Sequence, residues 1–333
     1  MTLHATLRFA VGVTAAFVVG EAMDWFPSFL APVLAAALLA SLPARPSLRM
    51  ALGLLIVMTV ASLFAFVIAS QLRGTPFVLF GLIALCVFLA FFAMLSGRPA
   101  FPALLFLICL ATIPVIAMIA PAQAGTLPVA FVRGMAVALV TIWLVYGLWP
   151  QTAAPKPAPP PPSHMPDPVT MALGGAAVVV PLMLVYLLYG LADALPVMIA
   201  TVMLVANFDL NRGRLHALAM IVGNFAGGFL GLVLHTILTT TPSLVFLAGL
   251  LFFTLLFFGQ RMAAGGPTAP IALLACNAML IILGSAISSD SPTLSLWMVR
   301  VFQFAVAGMF AIGTMSLLWH RASHAGPGKP QNP

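Results

Sequence analysis

The sequence predicts an all-α integral membrane protein with twelve transmembrane helices, arranged as two parallel six-helix repeats. Of its 333 residues, 63% are hydrophobic and only 6% are charged, and the mean hydropathy is +1.17. A soluble domain carries roughly a quarter charged residues, so a water-soluble fold is excluded. The apolar runs, such as residues 51–69, are also continuous on every face. Strands of a membrane barrel would instead alternate in polarity over about ten residues.

The apolar stretches have the length that crosses a bilayer, which is about 20 residues. Residues 1–149 form the first predicted repeat, 150–168 a proline-rich cytoplasmic linker, 169–320 the second repeat and 321–333 a cytoplasmic tail. The linker contains Pro-Lys-Pro-Ala-Pro-Pro-Pro-Pro, which favours an extended polyproline spacer over a helix. The predicted spans lie at about 7–24, 28–43, 49–70, 76–95, 101–120, 127–149, 169–191, 194–208, 214–237, 243–259, 268–288 and 293–319.

The distribution of lysine and arginine predicts the orientation. With the N-terminus in the cytoplasm, only Arg73 falls in an outer turn, and Asp24, Asp193 and Asp290 collect outside. We therefore expect a multi-pass protein of the inner membrane with both termini and the linker in the cytoplasm. The inner cations are then Arg45, Arg49, Arg98, Lys156, Arg212, Arg214, Arg261, Arg321 and Lys329.

Two six-span halves both begin on the inner side, so the axis relating them runs along the membrane normal, as in parallel repeats. Residues 41–53 align with 207–219, and residues 131–138 align with 298–305, at an offset of about 166 residues. We expect the halves to superpose by a rotation of about 180° around that axis.

Two intramembrane arginines, Arg133 and Arg300, lie at matching positions about two turns into the last span of each half. A charge within the bilayer costs roughly 2.5–3.5 kcal/mol on insertion scales, which makes both residues functional candidates. Their guanidinium groups suit a carboxylate, and the repeat could bring them to a shared central path. The alternative is that each neutralises an outer acid, Arg300 with Asp193 and Arg133 with Glu21 or Asp24, or extends to the surface.

Proton coupling has three candidate residues. Glu21 and Asp24 end the first span, where a carboxylate in a low-dielectric site can act as a proton relay. Asp24 with Trp25 can equally mark the outer interface. His235 near the outer end of the ninth span titrates in the neutral range as a free side chain, but a hydrogen bond to Thr236 or Thr239 is an alternative role.

The amides Asn224 and Asn277 are candidates for binding substrate along a path, or for hydrogen bonding between helices. Glycines dominate residues 223–231, and this Gly-xxx-Gly pattern predicts close helix packing.

Cys86, Cys109 and Cys276 lie inside apolar spans without metal-site spacing, which indicates a packing role. The net charge of +7 does not form a basic stripe, so nucleic acid is not an expected partner. We find no phosphate loop, nucleophile elbow or paired-carboxylate motif, and we expect neither an enzyme nor a cofactor.

The pattern resembles the fusaric acid resistance protein-like superfamily, which includes the bacterial aromatic acid exporters. The matching segments are Arg8-Phe-Ala-Val-Gly-Val, Trp25-Phe-Pro-Ser-Phe-Leu-Ala-Pro-Val-Leu and Pro46-Ser-Leu-Arg49-Met-Ala-Leu-Gly53. Such exporters usually carry a cytoplasmic domain after each bundle, and this chain has only a linker and a short tail in those places, as a compact branch would.

The resemblance implies export of small aromatic or other organic carboxylates, driven by the proton gradient and often served by a periplasmic adaptor of the membrane-fusion type. Two alternatives remain open. One is a passive organic-anion channel, and the other is a membrane scaffold subunit that transports nothing itself.

Overall fold

The protein is all α throughout the part of the chain that the structure, a computed structural model, describes: residues 2–42, 44–98, 100–150, 168–189, 194–206, 214–266 and 268–288. The helices are α1 Thr2–Ala22, α2 Leu30–Ser41, α3 Leu48–Gln71, α4 Pro76–Leu95, α5 Ala100–Ile119, α6 Pro121–Ala124, α7 Leu127–Leu148, α8 Pro168–Leu188, α9 Ala194–Ala206, α10 Arg214–Leu238, α11 Leu244–Ala264 and α12 Thr268–Ile287.

Eight of these helices are long and apolar enough to cross a membrane, which confirms the membrane class. Helices α2 and α9 are shorter, with 12 and 13 residues, although each corresponds to a predicted span. At 1.5 Å per residue neither reaches across a hydrocarbon core of about 30 Å. The twelfth predicted span, residues 151–167 of the linker predicted at 150–168, and the tail at 321–333 lie outside the described residues.

The ends of the helices follow local sequence signals. Ser47 and Ser243 cap α3 and α11 by accepting hydrogen bonds from the amides of Met50 and Phe246. Pro76 begins α4, where a missing amide hydrogen costs nothing.

The centre of the bundle is formed by α2, α5, α9 and α12. The side chains of α2 are buried from Leu30 to Leu38, and α5 and α12 are the two most buried of the eight candidate spans. Helix α2 packs against α12, and α5 packs against α9. By contrast, α3, α4 and α11 expose large apolar side chains, as helices that face lipid do.

Helix contacts between the two halves occur in reciprocal pairs. Helix α1 packs against α11, and α8, the first helix of the second half, packs against α4. Within the halves, α3 packs against α5, and α10 packs against α12. The cross-half contacts mean that neither half is a separate bundle.

The glycine pattern of α10 is a helix-packing face, as the sequence predicted. A Cβ atom on Gly227 would overlap the backbone of Ala275, and one on Gly231 would lie 2.7 Å from the carbonyl oxygen of Met279. The α10 and α12 backbones therefore approach more closely than any side chain on that face would allow.

Candidate functional site

The predicted residues Glu21, Asp24 and Arg133 lie together at the connection between α1 and α2. Helix α1 ends in a Schellman motif, in which the Asp24 amide donates to Glu21 O and the Trp25 amide donates to Gly20 O, each at 3.0 Å. Asp24 has a φ of 53°, in the left-handed region that aspartate tolerates better than most residues. This turn directs Trp25 and Phe26 toward α7.

Arg133 of α7 contacts this connection through an aromatic ring and a carbonyl group. Its guanidinium carbon lies 4.2 Å from the centroid of the Trp25 ring, which is cation–π geometry. Its Nη2 donates a long hydrogen bond, 3.5 Å, to Phe26 O. Within the described residues, neither Glu21 nor Asp24 forms an ion pair with Arg133. The structure therefore does not contain the alternative in which Glu21 or Asp24 neutralises Arg133.

The neighbouring Gly134 fixes Arg133 against the start of α2. A Cβ atom on Gly134 would lie 3.2 Å from Leu30 Cβ and 3.4 Å from the amide nitrogen of Ala31, so α7 and the first turn of α2 are in close contact. The amide groups of that first turn carry a partial positive charge, and Phe29, the N-cap residue, provides no side-chain cap. Arg133 and this helix end thus place positive charge at the same end of the bundle.

The Ser28 hydroxyl and the Glu21 carboxyl lie beside each other near the same connection. Ser28 is only 4% exposed, its hydroxyl is within reach of the Glu21 carboxyl, and Glu21 Oε1 is buried without a hydrogen-bond partner. Gly284 of α12 packs against Ser28 and Phe29, so that a Cβ there would lie 3.2 Å from Ser28 Oγ. The site thus reaches from the α1–α2 connection into the central helices.

The remaining predicted residues lie elsewhere. Asn277 is 2% exposed in the middle of α12, where its Nδ2 contacts the sulfur of Met203 at 3.7 Å and its Oδ1 has no partner. Asn224 is half-buried between Gly223 and Gly227 of α10. Arg300 lies outside the described residues.

His235 occupies the last turn of α10, and its buried Nδ1 has no hydrogen-bond partner. The Thr236 and Thr239 hydroxyls donate instead to Leu232 O and Thr236 O, at 3.0 and 2.7 Å. The expected hydrogen bond from His235 to these threonines is therefore absent, because both hydroxyls satisfy the backbone of their own helix.

Sequence reasoning missed Ser28 and Gly134 and assigned Trp25 only to the membrane interface. A signal was available for Gly134, since a glycine next to a charged residue in a span allows close backbone contact. None of the described residues form a group of three or more histidine, cysteine, aspartate or glutamate side chains that could hold a metal ion. The three cysteines are free thiols, and Cys109 Sγ packs at 3.7 Å from Met58 Sδ, as a packing role predicts.

Residues 5–145 match a family described as a protein of unknown function, DUF2955. The DUF2955-like segment contains most of α1, all of α2 to α6 and most of α7, and so it includes Glu21, Asp24, Ser28 and Arg133. Asn224, His235 and Asn277 lie beyond it. The chain matches no curated protein and no solved structure.

Proposed function

We propose that this protein is an inner-membrane secondary exporter of small organic carboxylates that is coupled to the proton gradient and has no catalytic step of its own. A periplasmic adaptor is its proposed partner. The observation that carries the proposal is Arg133, a cation within a span that has no carboxylate partner among the described residues. Its ring contact leaves donors at the edge of the guanidinium plane, which is the geometry that binds a carboxylate with two hydrogen bonds. Trp25 provides an aromatic face for the body of the substrate.

The reciprocal helix contacts support the proposed parallel repeats. If the second half follows the first in order, α8 corresponds to α1 and α11 to α4, so the α1–α11 and α4–α8 contacts are the same interface seen twice. Cys109 and Cys276 stand on the corresponding helices α5 and α12, at the same sequence offset as Arg133 and Arg300. The short helices α2 and α9 also correspond, and paired short segments are characteristic of substrate paths in transporters. Twelve crossings with cytoplasmic termini complete this proposal, in which α2 and α9 are the helical parts of two crossings and are too short to span the membrane as helices alone.

Glu21 is the proposed proton carrier. Its carboxyl lies near the turn that Arg133 contacts, beside the Ser28 hydroxyl, and its Oε1 is buried without a hydrogen-bond partner. Asp24 is exposed, and its left-handed backbone conformation already explains why an aspartate stands there. It is therefore the weaker candidate for carrying a proton.

Everted membrane vesicles test the proposal directly, because export from the cell becomes uptake into the vesicle. A panel of radiolabelled aromatic and aliphatic carboxylic acids is assayed with and without a protonophore. Losing two charge-assisted hydrogen bonds of roughly 1.5–3 kcal/mol each predicts at least a tenfold slower uptake for Arg133→Gln. Arg133→Lys keeps the charge but loses the planar fork, and should recover only part of the rate.

Arg73→Gln is the matched control, because Arg73 is exposed in the turn after α3 on the same predicted side of the membrane. Glu21→Gln should abolish the response to the protonophore, and Asp24→Asn should not. A folded Arg133→Gln, Arg300→Gln protein that transports at the normal rate refutes the anion path. Transport that ignores the protonophore in the unaltered protein would instead identify a passive channel.

A further inference from the structure

An open apolar groove runs between α3, α4 and α5, far from the α1–α2 connection. Its volume is about 440 Å³, and its walls carry no charged side chain. Several wall residues are half or more exposed, including Ile56, Val60 and Leu89. The other walls are formed by small residues such as Ala93 and Ala103 and by the Phe106 ring.

Arg49 lies at one end of this groove, on the face of α3 that forms its wall. With 3.6 residues per turn, Ile56 and Val60 lie within about 20° of Arg49 around the helix axis. Gly53 lies between Arg49 and Ile56, and nothing lies within 4 Å of the position that a Cβ atom on Gly53 would occupy. The surface between the guanidinium and the groove is therefore unobstructed.

Arg98 is fixed at the same end by the backbone that terminates α4. Its amide donates at 3.3 Å to the carbonyl oxygen of Ala93, a groove residue, across Gly97 with a φ of 79°. Arg49 and Arg98 are both exposed. Within the described part of the chain, neither guanidinium has an ion pair or hydrogen bond, and the acids described there, Glu21 and Asp24, lie at the end of α1.

The distances along the helix match one leaflet of a bilayer. At 1.5 Å per residue, Ile56 lies about 10 Å and Val60 about 16 Å from Arg49 along the axis. Half of the hydrocarbon core is about 15 Å thick. The groove thus lies at the depth of the acyl chains whose headgroups are level with Arg49 and Arg98, which the predicted orientation places in the cytoplasmic leaflet.

We propose that this groove binds an anionic phospholipid, with an acyl chain against Ile56, Val60 and Ala93 and the phosphate between Arg49 and Arg98. Two unpaired cations beside an apolar groove are complementary to a molecule with a negative head and a long apolar tail. This site is independent of the proposed transport activity, because it shares no residue with the α1–α2 connection.

Native mass spectrometry of the full chain tests the proposal. The purified protein is equilibrated in micelles containing equal amounts of phosphatidylglycerol and phosphatidylcholine with identical acyl chains. The unaltered protein should retain phosphatidylglycerol in preference. Each arginine near the surface contributes about a fivefold preference for the anionic lipid, so Arg49→Gln with Arg98→Gln should remove nearly all of it. Arg49→Lys with Arg98→Lys should keep most of it, since a phosphate also accepts a point charge.

Two further variants separate the headgroup from the chain. Ala93→Leu fills the groove and should lower retention of both lipids while the preference for phosphatidylglycerol in the remainder persists. Arg73→Gln, at the opposite end of α3, should change nothing. Equal retention of the two lipids by the unaltered protein overturns the proposal without reference to any variant. Unchanged retention in both the double glutamine variant and Ala93→Leu, each monodisperse, also overturns it.

Discussion

Replacing Gly227 with alanine tests the close contact between α10 and α12. A Cβ atom at this position would overlap the carbonyl oxygen of Ala275 and lie 2.6 Å from its Cα. The obstacle is backbone, which cannot rotate away as a side chain can. The helices must therefore separate, and the contacts at Gly231 along the same face are weakened with them.

The size of the effect follows from two opposing terms. Overpacking a close contact costs about 1–3 kcal/mol, whereas replacing a helical glycine with alanine gains about 0.8–1 kcal/mol in helix propensity. The net loss is then between about 0 and 2 kcal/mol, and because the obstacle is backbone we expect Gly227→Ala near the upper end, with a fall in Tm of several degrees. Gly223→Ala should lose less, because its Cβ would meet the side-chain Cγ2 of Ile271 at 2.6 Å, and that methyl group can move.

Gly249→Ala in α11 is the matched control, because nothing lies within 4 Å of a Cβ atom there. It should keep the propensity gain and leave Tm unchanged or higher. The assay is loss of monodisperse protein in detergent as temperature rises, followed by size-exclusion chromatography. If Gly227→Ala and Gly249→Ala shift Tm equally, the α10–α12 approach is not as close as described.

Substitutions at two further positions separate structural from functional roles. Asn277→Leu removes a buried Oδ1 that has no partner and that costs about 1–3 kcal/mol, so Tm should rise. A simultaneous loss of uptake in vesicles would identify the amide as a substrate ligand. A lower Tm would contradict this and show that the Met203 contact stabilises the helices. Asp24→Gly should raise Tm, because glycine adopts the left-handed backbone without strain, and should leave uptake normal, while Asp24→Val should lower Tm. Slowed uptake in Asp24→Gly would show that the Asp24 carboxylate takes part in transport.

The sequence was sufficient to predict the membrane class, the positions of the described helices and the glycine packing face. Hydropathy determines where a span must lie, because an apolar stretch has no stable place in water. The predicted spans at 28–43 and 194–208 are already shorter than the others, and α2 and α9 are shorter still by a few residues. The end of α2 at Ser41 follows a local signal, because Pro43 disfavours helical backbone at Leu42, which is extended.

The partners of Arg133 could not be predicted in the same way. Its hydrogen-bond acceptor, Phe26 O, lies 107 residues earlier in the chain, and its aromatic partner Trp25 is brought there by the Schellman turn at Asp24. From sequence alone, the nearby acids are the obvious partners for a cation within a span. Helices that are apolar on every face give no indication of which side meets a neighbour, and so the choice between acid and aromatic ring depended on the fold.

The environment of Arg133 compensates part of its insertion cost. That cost is roughly 2.5–3.5 kcal/mol at the centre of a helix and is smaller for Arg133, which is half-buried in the second turn of α7, while a cation–π contact returns roughly 0.5–2 kcal/mol. The hydrogen bond to Phe26 O, at 3.5 Å, is at the limit of useful geometry and adds little. Gly134 meanwhile holds α7 against Leu30, so the backbone beneath the guanidinium is fixed beside α2. Under the proposed function, a carboxylate bound through two short hydrogen bonds would stabilise the guanidinium further, and would do so only while it is bound.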